Sequence, residues 1–204
     1  MKVAAVILAA GSSSRFEDGH KLLVEIDGMP IVRHVCSALA RSKVDDIVLV
    51  TAEADGAIVK AAGAGRWRVV ENPNATEGLS TSLRTGLQSI DQSLDGVLVA
   101  LADMPGITDS LVDTLLSAFK GCNGSAIVFP ISPDGRRGHP IIWPKALFAA
   151  LETVTGDSGG KSILADHRGL WRPVPCENSG AFADIDTRAD LEAFRRSDLG
   201  GAGL

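Results

Sequence analysis

Apolar residues along the chain form short unbroken runs that alternate with segments of helical spacing. Val3 to Leu8 make the first run, and Gly96 to Ala102 make a second. Such runs are typical of strands that are buried on both faces of a parallel sheet. After Pro30, apolar residues recur at helical spacing through Leu39. The alternation predicts an α/β fold around a mostly parallel sheet.

The same patterns predict the other elements. Strands are expected at 45–50, 67–70, 126–131, 139–143 and 171–176. Helices are expected at 55–62, 80–89, 109–120, 145–155, 162–167 and 189–199, with Ser80 as the N-cap of the second of these. The turn at 134–138 interrupts the alternation and predicts a hairpin-like excursion over the ligand-binding end of the sheet. We expect a single domain over residues 1–199 and a flexible tail over 200–204.

Composition excludes several classes of protein. The chain has 204 residues, of which 45% are hydrophobic and 22% charged, and its net charge is −5. This balance argues against general affinity for nucleic acid or for an anionic membrane. No apolar run reaches the roughly 18 residues of a membrane-spanning helix, and the first strand does not resemble a signal peptide. Cys36, Cys122 and Cys176 are widely spaced, so we expect reduced thiols in a cytoplasmic protein.

The loop after the first strand is the strongest candidate for chemistry. Ala9, Ala10 and Gly11 carry almost no side chain, and serines follow them. A backbone of this kind can approach an anion closely, and Arg15 and Lys21 would add positive charge. Neither the P-loop pattern nor G-x-G-x-x-G occurs in this stretch. From the residues alone, a triphosphate site and a turn of small residues that serves packing are equally good interpretations.

The order Leu8-Ala9-Ala10-Gly11-x-Ser13-x-Arg15-Phe16, followed by Lys21, resembles the signature loop of nucleotidyltransferases. More narrowly, it resembles the MobA/MocA-like family of molybdenum cofactor cytidylyl- and guanylyltransferases. That resemblance implies a Rossmann-like, three-layer α/β/α nucleotide-diphospho-sugar transferase fold. In that family the spacing from arginine to lysine is usually five residues, whereas here it is six, so the loop is expected to bulge by one residue.

Two carboxylates and a serine-rich helix start extend the resemblance. Gly78-Leu79-Ser80-Thr81-Ser82 could simply cap a helix, and Asp103 and Asp186 could each cap a turn or a helix. Asp103, however, follows a buried strand, where open α/β sheets bind ligands. By resemblance, the serines lie beside the nucleotide, with Ser82 near the base, and the two aspartates bind Mg²⁺.

Two further motifs are ambiguous without the family. His139 in Gly138-His139-Pro140 could be a structural histidine, and the glycine-rich loop from Gly156 to Lys161 could be a flexible turn. The resemblance places both on the side of the acceptor substrate. Ala10, together with the Gly-His-Pro motif, favours CTP over GTP in this family.

The resemblance therefore implies a Mg²⁺-dependent transfer of a nucleotide from CTP to the phosphate of molybdopterin, with release of pyrophosphate. GTP, or a sugar-phosphate or polyol-phosphate acceptor, is the enzymatic alternative, and a non-catalytic cofactor carrier is the alternative of another class. An apoenzyme or a cofactor chaperone is a possible partner. The expected residues are as follows: catalytic, Arg15, Lys21, Asp103 and Asp186; nucleotide-binding, Leu8, Ala9, Ala10, Gly11, Ser12, Ser13, Arg15, Lys21, Gly78, Ser80, Ser82 and Asp103; acceptor-binding, His139, Gly156, Asp157 and Lys161; metal-binding, Asp103 and Asp186.

Overall fold

The computed structural model describes residues 1–13, 16, 19–156 and 160–201, with side chains through residue 196. Its strands are β1 (Val3–Leu8), β2 (Glu25–Ile26), β3 (Met29–Pro30), β4 (Asp46–Thr51), β5 (Arg68–Glu71), β6 (Gly96–Leu101), β7 (Ile127–Ile131), β8 (Ile141–Pro144) and β9 (Trp171–Pro175). Its helices are α1 (Ile31–Arg41), α2 (Ala57–Ala62), α3 (Leu79–Ser89), α4 (Asp109–Gly121), α5 (Phe148–Glu152), α6 (Lys161–Asp166) and α7 (Arg188–Gly201).

Seven strands form the main sheet in the order β5-β4-β1-β6-β8-β7-β9. β1 pairs in parallel with both β4 and β6, while β8 runs antiparallel to β6 and to β7. β9 pairs in parallel with β7, so β8 is the one strand of this sheet that runs against the others. β2 and β3 form a separate small hairpin. The predicted mostly parallel α/β sheet is confirmed.

Helices cover both faces of the sheet. Ala5 and Ile7 of β1 belong to the core shared with α1, α4 and α7, whereas Ala4 and Val6 belong to the core shared with α3, α5 and α6. Because successive side chains of a strand point to opposite faces, a strand covered on both faces has no polar position. This explains the unbroken apolar run of β1. No helix in the described part of the chain is long and apolar enough to cross a membrane.

Several element boundaries differ from the prediction. Ser80 is not the N-cap of α3, because Gly78 takes that position with φ 110°, a value that disfavours residues with a side chain. The single helix predicted at 145–155 is a 3₁₀ turn followed by the short α5. β8 begins at Ile141, two residues later than predicted, and α7 continues to Gly201.

The reversed direction of β8 brings a later part of the chain to the ligand-binding edge. The predicted hairpin-like excursion is confirmed, since β7 and β8 are adjacent antiparallel strands joined by a turn. Val99 of β6 pairs with Ile141, the first residue of β8. His139 therefore lies beyond the start of β8, at the same edge as the carboxyl ends of β1, β4 and β6.

Two glycines join the loop after β6 to the segment before α7. A Cβ atom added at Gly106 would lie 2.4 Å from the Cα atom of Gly180, and one added at Gly180 would lie 2.5 Å from the Cα atom of Gly106. Nearby, the backbone N–H of Ile185 donates to the carbonyl oxygen of Asp103 at 2.9 Å. This contact between backbones holds Asp103 and Asp186 on adjacent loops.

Replacing Gly106 with alanine should therefore separate these loops. We expect Gly106→Ala to lower the free energy of unfolding by about 1–3 kcal/mol, the usual cost of overpacking, because the new methyl group meets rigid backbone. Urea denaturation measures the effect. Gly121→Ala is the matched control, since a Cβ atom at Gly121 has no neighbour within 4 Å. An equal stability change in the two variants would contradict the proposed role of the glycine contact.

Candidate active site

A cavity of about 840 Å³ opens at the carboxyl ends of β1, β4 and β6. This is the edge at which open α/β sheets bind ligands. The residues that line it come from the loop after β1, the β4–α2 connection, the start of α3 and the two loops that carry Asp103 and Asp186: Leu8, Ala9, Ala10, Gly11, Ser12, Ser13, His20, Lys21, Leu22, Leu23, Thr51, Ala52, Glu53, Gly56, Ala57, Ile58, Ala75, Thr76, Gly78, Leu79, Ser82, Leu101, Asp103 and Asp186.

Small residues keep one wall of the cavity open. Ala9 and Ala10 are buried, and the N–H of Ala9 continues the sheet by donating to the carbonyl oxygen of Val50. A Cβ atom added at Gly11 would meet nothing within 4 Å. The backbone at this point is therefore accessible from the cavity, as a phosphate-binding loop requires. Arg15, predicted to act beside this loop, lies outside the described residues.

His20, which the sequence analysis missed, braces this loop. Its Nε2 atom lies 2.9 Å from the carbonyl oxygen of Gly11. Its Nδ1 atom lies 3.1 Å from the Ser13 hydroxyl and 3.3 Å from the backbone N–H of Leu22. A carbonyl oxygen only accepts and a backbone N–H only donates, so Nε2 carries the proton and Nδ1 accepts.

The electrostatics at His20 agree with that assignment. Burial lowers the pKa of His20, the carbonyl of Gly11 opposes this shift, and the charge of Lys21 adds to it. The neutral ring of His20 can therefore hydrogen-bond both Gly11, at the start of this segment, and Leu22, directly after Lys21. The position of His20, directly before the candidate Lys21, was the one sign in the sequence that it belongs to the site. Its contacts with Gly11 and Ser13 could not be predicted, because no rule of spacing connects these residues.

Lys21 connects the two predicted metal-binding carboxylates. Its Nζ atom lies 2.6 Å from Oδ2 of Asp103 and 2.5 Å from Oδ1 of Asp186. The side chains of Lys21, Asp103 and Asp186 are only 14%, 18% and 22% exposed. An ammonium group largely shielded from water interacts more strongly with its neighbours than a surface ion pair does.

Lys21 and Asp103 each shift the pKa of the other. Burial alone would lower the pKa of Lys21, but the charges and hydrogen bonds of Asp103 and Asp186 outweigh it and raise that pKa. Burial raises the pKa of Asp103 against the opposing charge of Lys21, and Asp184 and Asp186 raise it further. The lysine is thus held in its charged form between the carboxylates of Asp103 and Asp186.

The same carboxylates fit a divalent cation. Oδ1 of Asp103 is buried and has no hydrogen-bond partner among the residues described. Carboxylate oxygens are the ligands that Mg²⁺ and Mn²⁺ favour. Within the described ranges, no group of three or more histidine, cysteine, aspartate or glutamate side chains could enclose a metal. A cation held by Asp103 and Asp186 would therefore take its remaining ligands from substrate or water, and it would compete with Lys21.

A buried amide organises the opposite part of the cavity wall. Nδ2 of Asn72 donates to the hydroxyl oxygens of Thr81 and Ser82, each at 2.9 Å. Ser82 lines the cavity, whereas the structure does not bring Ser80 to it. The side chain of Ser80 is buried, and its backbone N–H donates to the carbonyl oxygen of Gly156 at 3.0 Å.

The predicted acceptor-binding residues do not line this cavity. His139, Gly156 and Lys161 all lie outside its walls, and Asp157 is outside the described residues. The ring of His139 hydrogen-bonds the backbone carbonyl of Val99, and its Nδ1 atom is buried without a partner among the described residues. A substrate that uses these residues would extend beyond the main cavity.

The environment of His139 sets a testable pH dependence. Burial lowers the pKa of His139 to about 4, and the charge of Lys161 adds to this, while the carbonyl of Val99 and the charge of Asp184 oppose it. In the unfolded chain the pKa is near 6.5, so the unfolded state binds the proton more readily between these two values. Stability due to the neutral ring is complete above about pH 6.5 and is lost as the pH falls towards 4.

Relative to His139→Gln, the native protein should lose a few kcal/mol of unfolding free energy across this window, at about 1.4 kcal/mol per pKa unit. Urea denaturation of both proteins at several pH values between 7 and 4 measures the difference. Parallel pH profiles for the two proteins would contradict the assignment of a partly buried, neutral His139.

Comparison with known proteins identifies relatives along most of the chain. Residues 5–170 match the family described as MobA-like NTP transferase domain. The nicotine blue oxidoreductase of Paenarthrobacter nicotinovorans is 28% identical over 190 residues, which cover 91% of this chain and 92% of that protein. A probable molybdenum cofactor guanylyltransferase of Thermococcus gammatolerans is 28% identical over 195 residues, which cover 91% and 95% of the two chains.

Solved structures share the fold. The crystal structure of an Rv0371c homologue from Mycobacterium sp. strain JC1 aligns with a TM-score of 0.82 at 24% identity, covering 98% of both chains. The Rv0371c protein of Mycobacterium tuberculosis H37Rv, in complex with manganese, aligns with a TM-score of 0.78 at 21% identity. That alignment covers 97% of this chain and 100% of the other.

The cavity at the strand ends, the paired carboxylates and the match over residues 5–170 lead to one conclusion. The chain is a nucleotidyltransferase that belongs to the MobA-like NTP transferase family.

Proposed function

We propose that this protein transfers the CMP group of CTP to the terminal phosphate of molybdopterin, with Mg²⁺ as the divalent cation. The observation that carries the proposal is the position of Lys21 between Asp103 and Asp186, at the polar end of a cavity lined by the loop after β1. This arrangement supplies both a cation for phosphate and carboxylates for a metal. The chemistry of nucleotidyl transfer requires both.

The reaction needs no nucleophile from the protein. A phosphate oxygen of the acceptor attacks the α-phosphorus of the triphosphate, a new P–O bond forms, and the bond to the bridging oxygen of pyrophosphate breaks. The attacking oxygen is already an anion, so the protein's task is to position the two substrates and to stabilise charge. The backbone of Gly11 to Ser13 would contact the phosphates, with Arg15 and Lys21 nearby.

Asp103 and Asp186 would hold the divalent cation. When bound, that cation neutralises phosphate charge and orients the triphosphate. Lys21 pairs with the same two carboxylates, so a cation held there would compete with its ammonium group, which could then turn towards the phosphates. The lysine can thus stabilise either the buried acidic pair or a triphosphate.

Acceptor binding would involve His139, Gly156, Asp157 and Lys161, beyond the main cavity. Nδ1 of His139 has no partner within the described part of the chain and can accept a hydrogen bond, and Lys161 offers a positive charge near it. Gly156 is tied to the start of α3 through its contact with the N–H of Ser80. A phosphorylated acceptor with a hydrogen-bond donor would suit this combination.

GTP is the second candidate nucleotide, since one relative is named as a probable guanylyltransferase. Ala10 and the Gly-His-Pro motif around His139 favour CTP by resemblance. The relative named as an oxidoreductase suggests a reaction of another class. The paired carboxylates and the lysine are what phosphoryl chemistry requires, and the loop after β1 lacks the G-x-G-x-x-G dinucleotide fingerprint.

The decisive experiment measures pyrophosphate release with Mg²⁺ and molybdopterin, comparing CTP, GTP, ATP and UTP. We expect release with CTP well above that with the other three. Release mainly with GTP would assign the protein to guanylyl transfer. Release only when a sugar phosphate or polyol phosphate replaces molybdopterin would change the acceptor.

Removing the charge of Lys21 should have opposite effects on turnover and on metal binding. We expect Lys21→Met to lower turnover by about 10²-fold or more, because an electrostatic stabiliser of the phosphates is lost. Binding of Mn²⁺ to the nucleotide-free protein should become tighter, because the competing ammonium group is gone. Electron paramagnetic resonance of free Mn²⁺ measures the second effect. Lys43→Met, which removes a lysine that is 77% exposed, should change neither quantity.

A non-catalytic cofactor carrier is the alternative of a different class. Such a carrier would bind the cofactor tightly, would deliver it to an apoenzyme or a chaperone, and would release no pyrophosphate. We expect Asp103→Asn to abolish most pyrophosphate release while nucleotide binding is largely kept, because the carboxylate acts on the reacting phosphates through the cation. Unchanged turnover in Asp103→Asn would refute the role assigned to this residue.

A further inference from the structure

Arg84 lies on α3, two residues after Ser82, and it does not line the cavity. Residues two apart on a helix do not face the same way. The half-buried guanidinium group of Arg84 contacts α5 and the residues after it. Its Nε atom donates to the carbonyl oxygen of Glu152 and its Nη2 atom to that of Val154, each at 3.2 Å. Within the described part of the chain, no carboxylate pairs with this guanidinium group.

A backbone hydrogen bond joins the same two parts of the chain. The N–H of Ser80 donates to the carbonyl oxygen of Gly156 at 3.0 Å. Ser80 is the second residue of α3, and the N–H groups in the first turn of a helix have no acceptor within the helix. The carbonyl group of Gly156 therefore supplies a partner that the start of α3 needs. Three hydrogen bonds thus join α3 to residues 152–156.

This helix therefore connects two regions of the proposed active site. Leu79 and Ser82 line the cavity, whereas Ser80 and Arg84 contact residues 152–156. That segment ends at Gly156, where the residues proposed above for acceptor binding begin. A displacement of the segment away from α3 would move the acceptor relative to the nucleotide.

We propose that Arg84 is a positioning residue for the acceptor, because it holds residues 152–156 against α3. The inference rests on the nucleotidyl transfer proposed above, and it deepens that function by naming a residue that aligns the acceptor with the nucleotide. Such alignment matters because a misplacement of about 1 Å can cost a reaction about a hundredfold in rate. Arg84 would act through the carbonyl groups that it binds and not through contact with a substrate.

The chemistry of arginine suits this role. A guanidinium group is planar and presents its N–H donors in a rigid fork, so one side chain can hold two carbonyl groups in a fixed geometry. A lysine in the same place has a single ammonium group on a flexible chain and would hold the segment less precisely. Because Glu152 is the last residue of α5, Arg84 also caps that helix. Capping alone would affect stability without distinguishing between the two substrates.

The first measurement is the steady-state kinetics of pyrophosphate release by Arg84→Met. We expect the KM for molybdopterin to rise about tenfold, because two hydrogen bonds from a charged donor are lost. The KM for CTP and the kcat at saturating molybdopterin should stay close to the native values, since the nucleotide contacts of the cavity are kept. Arg84→Lys should raise the KM for molybdopterin less, because one donor is retained.

Arg68→Met is the matched control. Nη2 of Arg68 donates to the carbonyl oxygen of Ser89 at 2.5 Å, at the other end of α3, and Arg68 also pairs with Asp46. The substitution therefore removes an arginine–carbonyl contact from the same helix, far along it from residues 152–156. We expect it to lower stability and to leave the KM for molybdopterin unchanged.

A second measurement needs no catalytic activity. Hydrogen exchange of the Ser80 amide, followed by NMR without substrates, reports how firmly Gly156 is held. We expect this amide to exchange faster in Arg84→Met than in the native protein, because its acceptor is no longer fixed from the neighbouring residues. In Arg68→Met the exchange rate of the Ser80 amide should stay close to the native rate.

The outcomes separate this inference from the function on which it rests. An equal KM for molybdopterin in Arg84→Met and in the native protein would overturn the role of Arg84 and leave nucleotidyl transfer intact. An equal rise in Arg84→Met and Arg68→Met, or unchanged exchange of the Ser80 amide in Arg84→Met, would do the same. No pyrophosphate release by the native protein with any acceptor would overturn both. If Arg84→Met does not fold, Arg84→Lys decides by the same two measurements.

Discussion

The contact between the Lys21 ammonium group and the carboxylates of Asp103 and Asp186 is the interaction on which the architecture of the site depends. Without a cation between them, two largely buried acidic groups would repel each other across a loop contact held by glycines. A buried charge is tolerated only when it is paired. The lysine meets that requirement, and Oδ1 of Asp103, which has no partner among the described residues, can accept a further cation or donor.

Other features of the fold serve to bring these three groups together. β1 ends in residues too small to fill the cavity, and His20 closes the following segment so that Lys21 faces the carboxylates. The close contact of Gly106 with Gly180 places the loop after β6 against the segment before α7. The same edge receives His139, because β8 runs in the opposite direction to its neighbours.

The two ends of the cavity differ in the kind of interaction that they offer. At the polar end, charged groups dominate. If Lys21 moved away from Asp103 and Asp186, a divalent cation could take the place of its ammonium group. At the start of α3, a neutral hydrogen-bond network joins the amide of Asn72 to the hydroxyl groups of Thr81 and Ser82.

The sequence by itself determined the α/β class, most strands and helices, and the family. Unbroken apolar runs of this length are typical of strands buried on both faces, and the loop from Leu8 to Lys21 carries a specific order of residues. Most of the residues predicted to bind nucleotide do line the cavity, whereas Ser80 does not, and the residues predicted to bind the acceptor lie outside its walls. Their roles remain predictions.

Only the tertiary structure decided which groups meet. Lys21 and Asp186 are 165 residues apart in the chain, and no local pattern connects them. The hydrogen bonds of His20 and Asn72 depend on partners that the fold brings near, and the direction of such bonds cannot be read from spacing. Periodicity reports the burial of a segment, because burial averages over many neighbours. Contacts between single polar atoms depend on one geometry, which the packed chain alone supplies.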